Sequence, residues 1–258
     1  MPIIDLGRVV GKDGVVPQNL LDNSDFTNPV NQAGLGGFHG AALYALDRWL
    51  YNGTSGQLSL NDGVGLSYPN GFVAYQRLGR GNVLDGNSYT LALWTSDGVA
   101  HCVQLTSGYV RIGTCGYAVC HNNENAVYIN NNNATLPIAY VALYKGTYTT
   151  ETLPPYVPKG YAAELAECRW YYRKQDTQPL VGVAFYANSV AVIGLEKSPM
   201  RKVPTVTVDA IKTVDQSVSY TASNYISHQD GLVWIGTNEA IQPGQFVYVW
   251  GIEENAEL

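Results

Sequence analysis

The sequence predicts an all-β protein: a jelly-roll β-sandwich followed by a linker helix and a smaller antiparallel β module. Three observations carry this. Short runs of β-branched and aromatic residues alternate with polar ones, as in "GFVAYQRL", "SYTLALWTS" and "LPIAYVALYKG". Turn signals such as "YPNG", "LDGN", "SDG" and "NNNNAT" separate those runs. One stretch alone, "GYAAELAECRWYYRK", places apolar residues at convincing helical spacing.

Residues 1–18 read as an N-terminal arm, in which "GKDG" (Gly11 to Gly14) resembles a single Gly-X-Y triplet. The stretch "NLLDNSDFTNPVNQ", from Asn19 to Gln32, has too many turn formers and too few apolar residues for a helix; it reads as the closure of a β domain. Residues 19–156 then carry strands at short spacing with no helical pattern between them, which indicates a sandwich or jelly roll. In "TLPPYVPKG" three prolines forbid a regular ladder and mark a boundary. The helix, within residues 157–175, has Glu164 and Glu167 early and Arg169, Arg173 and Lys174 late, which complements its dipole. Leu165, Cys168 and Tyr172 form its apolar stripe. Residues 176–258 return to strands: "PLVGVAFYANSVAVIGLE" is a hairpin turning at Ala187–Ser189, and "FVYVW" is apolar on both faces, as in a core or a subunit interface. Between strands, "PMR" (Pro199–Arg201) reads as a bulge or crossover with Met200 inside and Arg201 exposed.

Composition limits the function. Charged residues are only 14% of the 258, the net charge is −6, and polarity comes from amides, hydroxyls and 19 tyrosines. No basic stripe is present to neutralise phosphates, so nucleic acid is not an expected partner. The first residues have no basic start and no long apolar run, so a secretory signal is not expected. No segment approaches the roughly 20 apolar residues of a membrane helix, so membrane insertion is not expected either. A neutral, polar, Tyr-rich surface suits hydrogen-bonding partners such as sugars.

"NLLDNSDFTNPVNQAG" followed by "ALDRW" resembles the start of a jelly-roll module of phage and prophage tail-fibre and distal tail proteins, itself similar to carbohydrate-binding modules. "AYVALYKGT" resembles the closing strand of that module. "ELAECRWYY" with "SPMRKVPTVTV" resembles the C-terminal module that follows it, and "IDLGRVVGKDG" the segment leading into a collagen-like stretch. The resemblance implies that Leu20, Leu21 and Phe26 enter the core while neighbouring Asn and Asp side chains bond loop backbone. It also implies a virion protein of the phage tail, made in the host cytoplasm. That protein would be homotrimeric, contact other tail proteins and recognise bacterial cell-surface glycans without catalysis; the alternative is a purely structural tail or capsid decoration or trimerisation protein.

Sugar-binding modules stack aromatic rings on the apolar face of a sugar and bond its hydroxyls with amides or guanidinium. The candidates for that role are Tyr51, Tyr75, Arg77, Trp49, Asn52 and Gln76. Trp49 and Tyr51 share one strand face, as do Tyr75 and Arg77. Trp49 fits core or site equally; Trp94 is expected in the core. His101–Cys102 and Cys115–His121 hold zinc-type ligands, but adjacent residues of a strand point to opposite faces, so buried cysteines are the simpler reading. A Cys102–Cys120 or Cys102–Cys115 disulfide is the other alternative. Asp22, Asn23, Asp25 and Asp47 could hold the calcium ion common in such modules, but turn chemistry explains them. No cofactor, metal or catalytic residue is expected. The acids available to a glycosidase, Asp62, Asp85, Asp97, Glu124 and Glu164, lie in turns or on the helix, and no nucleotide-binding or hydrolase motif is present.

Overall fold

The turn-rich opening does close a β domain. The computed structural model describes residues 17–32, 37–38, 43–52, 58–61, 63–79, 84, 86–121, 125–175, 178–193, 200–227 and 233–256. Most of the arm, including Gly11–Gly14, lies outside them, as do Asp62, Asp85, Glu124 and Pro199. The chain divides into two units, Met1–Leu165 and Ala166–Leu258, and the division falls inside the one helix of the described residues.

The first unit is a sandwich. Its strands are β1 (Gly37–Phe38), β2 (Leu43–Leu46), β3 (Trp49–Asn52), β4 (Leu58–Asn61), β5 (Gly65–Ser67), β6 (Val73–Arg77), β7 (Tyr89–Thr95), β8 (Ala100–Gln104), β9 (Val110–Arg111), β10 (Tyr117–His121), β11 (Ala126–Asn131) and β12 (Ile138–Lys145). One antiparallel sheet runs β1-β4-β5-β12-β7-β8 and the other β2-β3-β6-β11-β10-β9. The pairing nests as in a jelly roll: β5 lies beside β12 in one sheet, while β6, which follows β5, lies beside β11 in the other. Period-two alternation sends Trp49, Tyr51, Ala74, Tyr117, Val119, Val127 and Ile129 from the second sheet against Leu58, Leu66, Leu91, Leu93, Val141 and Leu143 from the first. Each fully buried aliphatic there contributes about 1.5–3 kcal/mol.

The opening segment covers one edge of β12. Val141 N donates to Ser24 O at 3.0 Å, Leu20 N to Leu143 O at 3.0 Å and Phe26 N to Ala139 O at 2.9 Å. Leu21 and Phe26 are fully buried and Leu20 packs against the core from its margin. An edge of unpaired backbone groups is thereby capped. On the far side of the same sheet, Trp94 is only half-buried and lies outside the sandwich core, with its ring 5.5 Å from that of Tyr156. The expectation of a core Trp94 is corrected: its neighbours Leu91 and Leu93 take the inward positions.

The expected helix is shorter than its sequence pattern. Helix α1 covers Tyr161–Cys168 only, and Tyr172–Gln175 is strand β13. In the second unit β13 pairs with β22 (Ile252–Asn255), which also pairs with β16 (Thr205–Thr207). Arg173 and Lys174, which would have complemented a helix dipole, instead face Glu254 at 3.8 Å and Glu253 at 3.2 Å. Tertiary pairing overrides local propensity here. The remaining strands are β14 (Leu180–Tyr186), β15 (Ser189–Ile193), β17 (Ala210–Thr213), β18 (Ser219–Tyr220), β19 (Ala222–Ser227), β20 (Val233–Thr237) and β21 (Phe246–Trp250). They form a seven-stranded sheet, β18-β17-β21-β14-β15-β20-β19. Its inner face buries Val190, Ile211, Val233, Ile235, Val247 and Val249. Met200 is fully buried and Arg201 exposed, its guanidinium 5.9 Å from the Tyr171 ring centroid.

Candidate functional site

The residues that open the first unit are held by a buried polar network. Asn23 sits at φ 48, a left-handed conformation that Asn tolerates better than most residues. Its Nδ2 donates to Val30 O at 2.8 Å and Asp47 O at 2.7 Å, and its Oδ1 accepts from Val30 N at 2.7 Å. Its backbone N–H donates to Glu164 Oε2 at 2.7 Å, and its C=O accepts the Trp49 indole N–H at 2.8 Å. Asp22 is bound from three sides: Gln76 Oε1 accepts its N–H at 2.8 Å, Gln76 Nε2 donates to its C=O at 2.7 Å, and Arg48 Nε donates to its Oδ2 at 3.1 Å. Arg48 also donates to Arg77 O at 2.6 Å. Asp47 accepts from Gln32, and burial pushes its carboxyl above the usual range. The calcium-type donors Asp22, Asn23, Asp25 and Asp47 are thus occupied by turn and loop bonds, and among the described residues no three His, Cys, Asp or Glu are grouped to hold a metal.

That network decides where the six sugar-site candidates lie. Trp49 is 2% exposed and stacks edge-on to Phe26, with centroids 5.2 Å apart. Tyr51 is 1% exposed, stacked on Phe72 at 5.7 Å, and burial pushes its phenol up to about 12. Gln76 is fully buried against Asp22. These three point into the sandwich, so they cannot offer a face to a ligand; as surface contacts they are corrected to core. Tyr75, Arg77 and Asn52 occupy the opposite face of the same sheet, Tyr75 half-buried and the other two exposed.

Strand register builds a surface around that second group. Leu50, Tyr75, Tyr128 and Cys120 lie directly opposite one another across β3, β6, β11 and β10. The Tyr75 and Tyr128 rings stack at 4.9 Å with an interplanar angle of 19°. The adjacent row runs Asn52, Val73, Asn130, Ala118 and Arg111. Tyr109 reaches the same face beside Cys120; burial, followed by the charge of Cys120, pushes the Tyr109 phenol up to about 12. Two stacked rings are therefore bordered by Arg77, by the amides of Asn52 and Asn130, and by Tyr109. This set is able to hold a flat ligand with one apolar face and a hydroxylated rim.

Sequence reasoning found Tyr75, Arg77 and Asn52 but missed Tyr128, Tyr109 and Asn130. The "AVYINN" alternation puts Tyr128 opposite Val127 and Ile129 and so outside, but only the register reveals Tyr75 as its partner. The four cysteines are free. Cys102 donates to Tyr148 O at 3.8 Å and Cys115 to Ile112 O at 3.0 Å. Of the acids weighed for hydrolysis, Asp97 accepts from Thr95 and Val99 in a turn, and Glu164 serves Asn23. No helix among the described residues is long and apolar enough to cross a membrane. No family model, curated protein or solved structure matches the chain.

Proposed function

We propose that the first unit is a non-catalytic glycan-recognition module of a phage tail-fibre-type virion protein. In this reading the outer face of the β3–β6–β11–β10 sheet takes a bacterial cell-surface glycan, and the chain works as a homotrimer attached to other tail proteins. The observation that supports it most is the in-register Tyr75–Tyr128 stack bordered by amide and guanidinium groups. A sugar ring laid on that stack buries its C–H face and turns its hydroxyls toward Asn52, Arg77 and Asn130. The test is binding of the purified chain to whole bacteria and to a glycan array, beside Tyr75→Ala and Tyr128→Ala. Loss of binding in both variants with unchanged circular dichroism supports the reading; full binding in both overturns the site.

One observation favours the structural alternative, in which the chain decorates or trimerises a tail or capsid without a ligand. The outer face of the seven-stranded sheet aligns Phe246, Val183, Ala191, Trp234 and Ile226 across five strands, with Phe246 and Ile226 more than half exposed and Phe185 against Trp234 at 5.3 Å. An apolar row of that length suits a protein contact. Sedimentation of the wild type beside Phe185→Ser and Phe246→Ser separates the two. An assembly that dissociates in the variants, together with a wild type that binds no glycan, favours the alternative.

A further inference from the structure

Beyond the stacked tyrosines, the same sheet ends in a concavity of about 240 Å³ lined by Arg111, Gly113, Thr114, Gly116, Tyr117, Asn132 and Asn133. Pockets for drug-sized ligands run roughly 300–1,000 Å³, so this one suits a single sugar ring. Its walls are fixed by internal bonds. Asn132 N donates to Gly116 O at 2.7 Å, Ile112 N to Tyr117 O at 2.9 Å, and the Tyr117 hydroxyl to Leu136 O at 2.8 Å. Asn131 anchors the turn from below, its Oδ1 accepting Ala134 N at 2.8 Å and its Nδ2 donating to Tyr68 O. Gly116, at φ 82, lets the two loops close: a Cβ there would stand 2.5 Å from the Ala134 backbone. Walls held this way lose little entropy when a ligand arrives.

Apart from Tyr117, the polar side chains that line this rigid concavity are unengaged. Arg111 makes no ion pair or hydrogen bond with any described residue, and the side chains of Thr114, Asn132 and Asn133 make none either. This guanidinium therefore stands uncompensated on a protein whose net charge is −6. A guanidinium presents a planar fork that matches a carboxylate in two parallel hydrogen bonds, and the amides and hydroxyl beside it match ring hydroxyls. Arg111 also lies in the row of Asn130 and Asn52, two strand spacings of about 4.8 Å from the strand of Tyr128. One glycan chain can therefore rest on the stack and reach the concavity.

We propose that this concavity is a subsite for a carboxylate-bearing sugar residue, and that the glycan recognised is acidic. The inference rests on the glycan-recognition reading and specifies its ligand class. Arg111 holds the carboxylate, Asn132, Asn133 and Thr114 bond the ring hydroxyls, and Tyr75 with Tyr128 stacks a neighbouring residue.

The experiment is calorimetric and NMR titration of the whole chain with trigalacturonate, with its uncharged galactose counterpart, and with sodium acetate. Arg111→Gln, Asn132→Ala, Tyr75→Ala and Tyr128→Ala are titrated in parallel. Trigalacturonate is expected to bind at least tenfold more tightly than the neutral trimer, and to weaken as salt rises, because one exposed charge pair is screened. Arg111→Gln is expected to remove that preference by weakening trigalacturonate at least tenfold. Asn132→Ala weakens both ligands through lost hydroxyl contacts. Equal affinity for the two trimers, an acid preference that survives Arg111→Gln, or acetate binding as tight as trigalacturonate overturns the acidic subsite. If the acid preference is absent while Tyr75→Ala still abolishes glycan binding, the subsite fails and the recognition face stands. If trigalacturonate binding depends on Arg111 but Tyr75→Ala and Tyr128→Ala change nothing, the subsite stands and the stacking face fails.

Discussion

Replacing Asn23 tests the physical account of the opening segment most directly. Alanine there deletes three buried hydrogen bonds: two from Nδ2 to Val30 O and Asp47 O, and one from Val30 N to Oδ1. Val30 N–H and Asp47 C=O then lack those partners in a site where Asn23 is 1% exposed, while Val30 C=O keeps the Asp47 N–H at 3.4 Å. An unsatisfied buried polar group costs about 1–3 kcal/mol, so the two left unpaired amount to about 3–4 kcal/mol near the middle of that range. The backbone at φ 48 adds about 1–2 kcal/mol for any residue with a Cβ that lacks a compensating side-chain bond. The expected loss is about 4–6 kcal/mol, a large share of the roughly 5–15 kcal/mol that holds a domain.

Asn23→Gly separates the two contributions, since it loses the same bonds but not the backbone freedom; it should recover about 1 kcal/mol relative to Asn23→Ala. Urea unfolding followed by tryptophan fluorescence measures the loss, because the Trp49 indole bonds Asn23 itself. Hydrogen exchange at the Val30 amide assigns the transition to the sandwich. An Asn23→Ala chain within 1 kcal/mol of wild type, or an Asn23→Gly chain no better than Ala, refutes the reasoning.

Tyr51→Ala should lower stability by about 3–5 kcal/mol by emptying the space between Tyr68 and Phe72, while Tyr75→Ala should cost about 1 kcal/mol or less; equal midpoints in urea would contradict the face assignment. Asp215 accepts from Thr213, Ser217 Oγ and Ser217 N, which lowers its carboxyl from 3.8 to about 2. A depressed acid stabilises above its unfolded value and loses that contribution as pH falls through its folded value, so the Thr213–Val218 turn should stay ordered at pH 4 and loosen toward pH 2. Carboxyl-carbon NMR reads this directly; a midpoint near 3.8 would refute it. Burial raises the Cys102 thiol above 9.0, so iodoacetamide should label it more slowly at pH 7 than free cysteine, with the rate climbing only at higher pH. Labelling at the free-cysteine rate would contradict that burial.

Much of the β structure is legible because its signals are local. The hairpin of β14 and β15 turns at Ala187–Asn188, within the stretch that the turn residues mark, and "NLLDNSDF" buries Leu21 and Phe26 as a closing segment should. The end of the helix is not legible, since Tyr172–Gln175 pairs with Ile252–Asn255 and no residue near Tyr172 announces that partner. The site divides the same way. Period two shows that Trp49 accompanies Tyr51 and that Tyr75 accompanies Arg77, but not which pair faces the core. Gln76 decides it physically: the buried backbone of Asp22 needs both a donor and an acceptor, and Gln76 supplies them from the inner face, which sends Tyr75 and Arg77 outward.

The residues that carry the tail-fibre resemblance therefore say little about a ligand. Asn19, Asp22, Asn23, Asp47, Arg48 and Trp49 each direct their polar atoms at other parts of the same unit. Changing any of them leaves a buried group unsatisfied, so such positions hold an architecture in place whatever the architecture binds. Tyr75, Arg111 and Asn132 stand under no such constraint. They sit where the sheet and its end loops present rings, charge and amides outward, and replacing them alters the surface while the network beneath stays intact. Under the proposed glycan-recognition reading, ligand choice can then change on this scaffold without refolding it. A binding difference between two such chains should accordingly map to the Tyr75–Tyr128 face and the Arg111 concavity, while the Asp22–Asn23–Arg48 network stays the same in both.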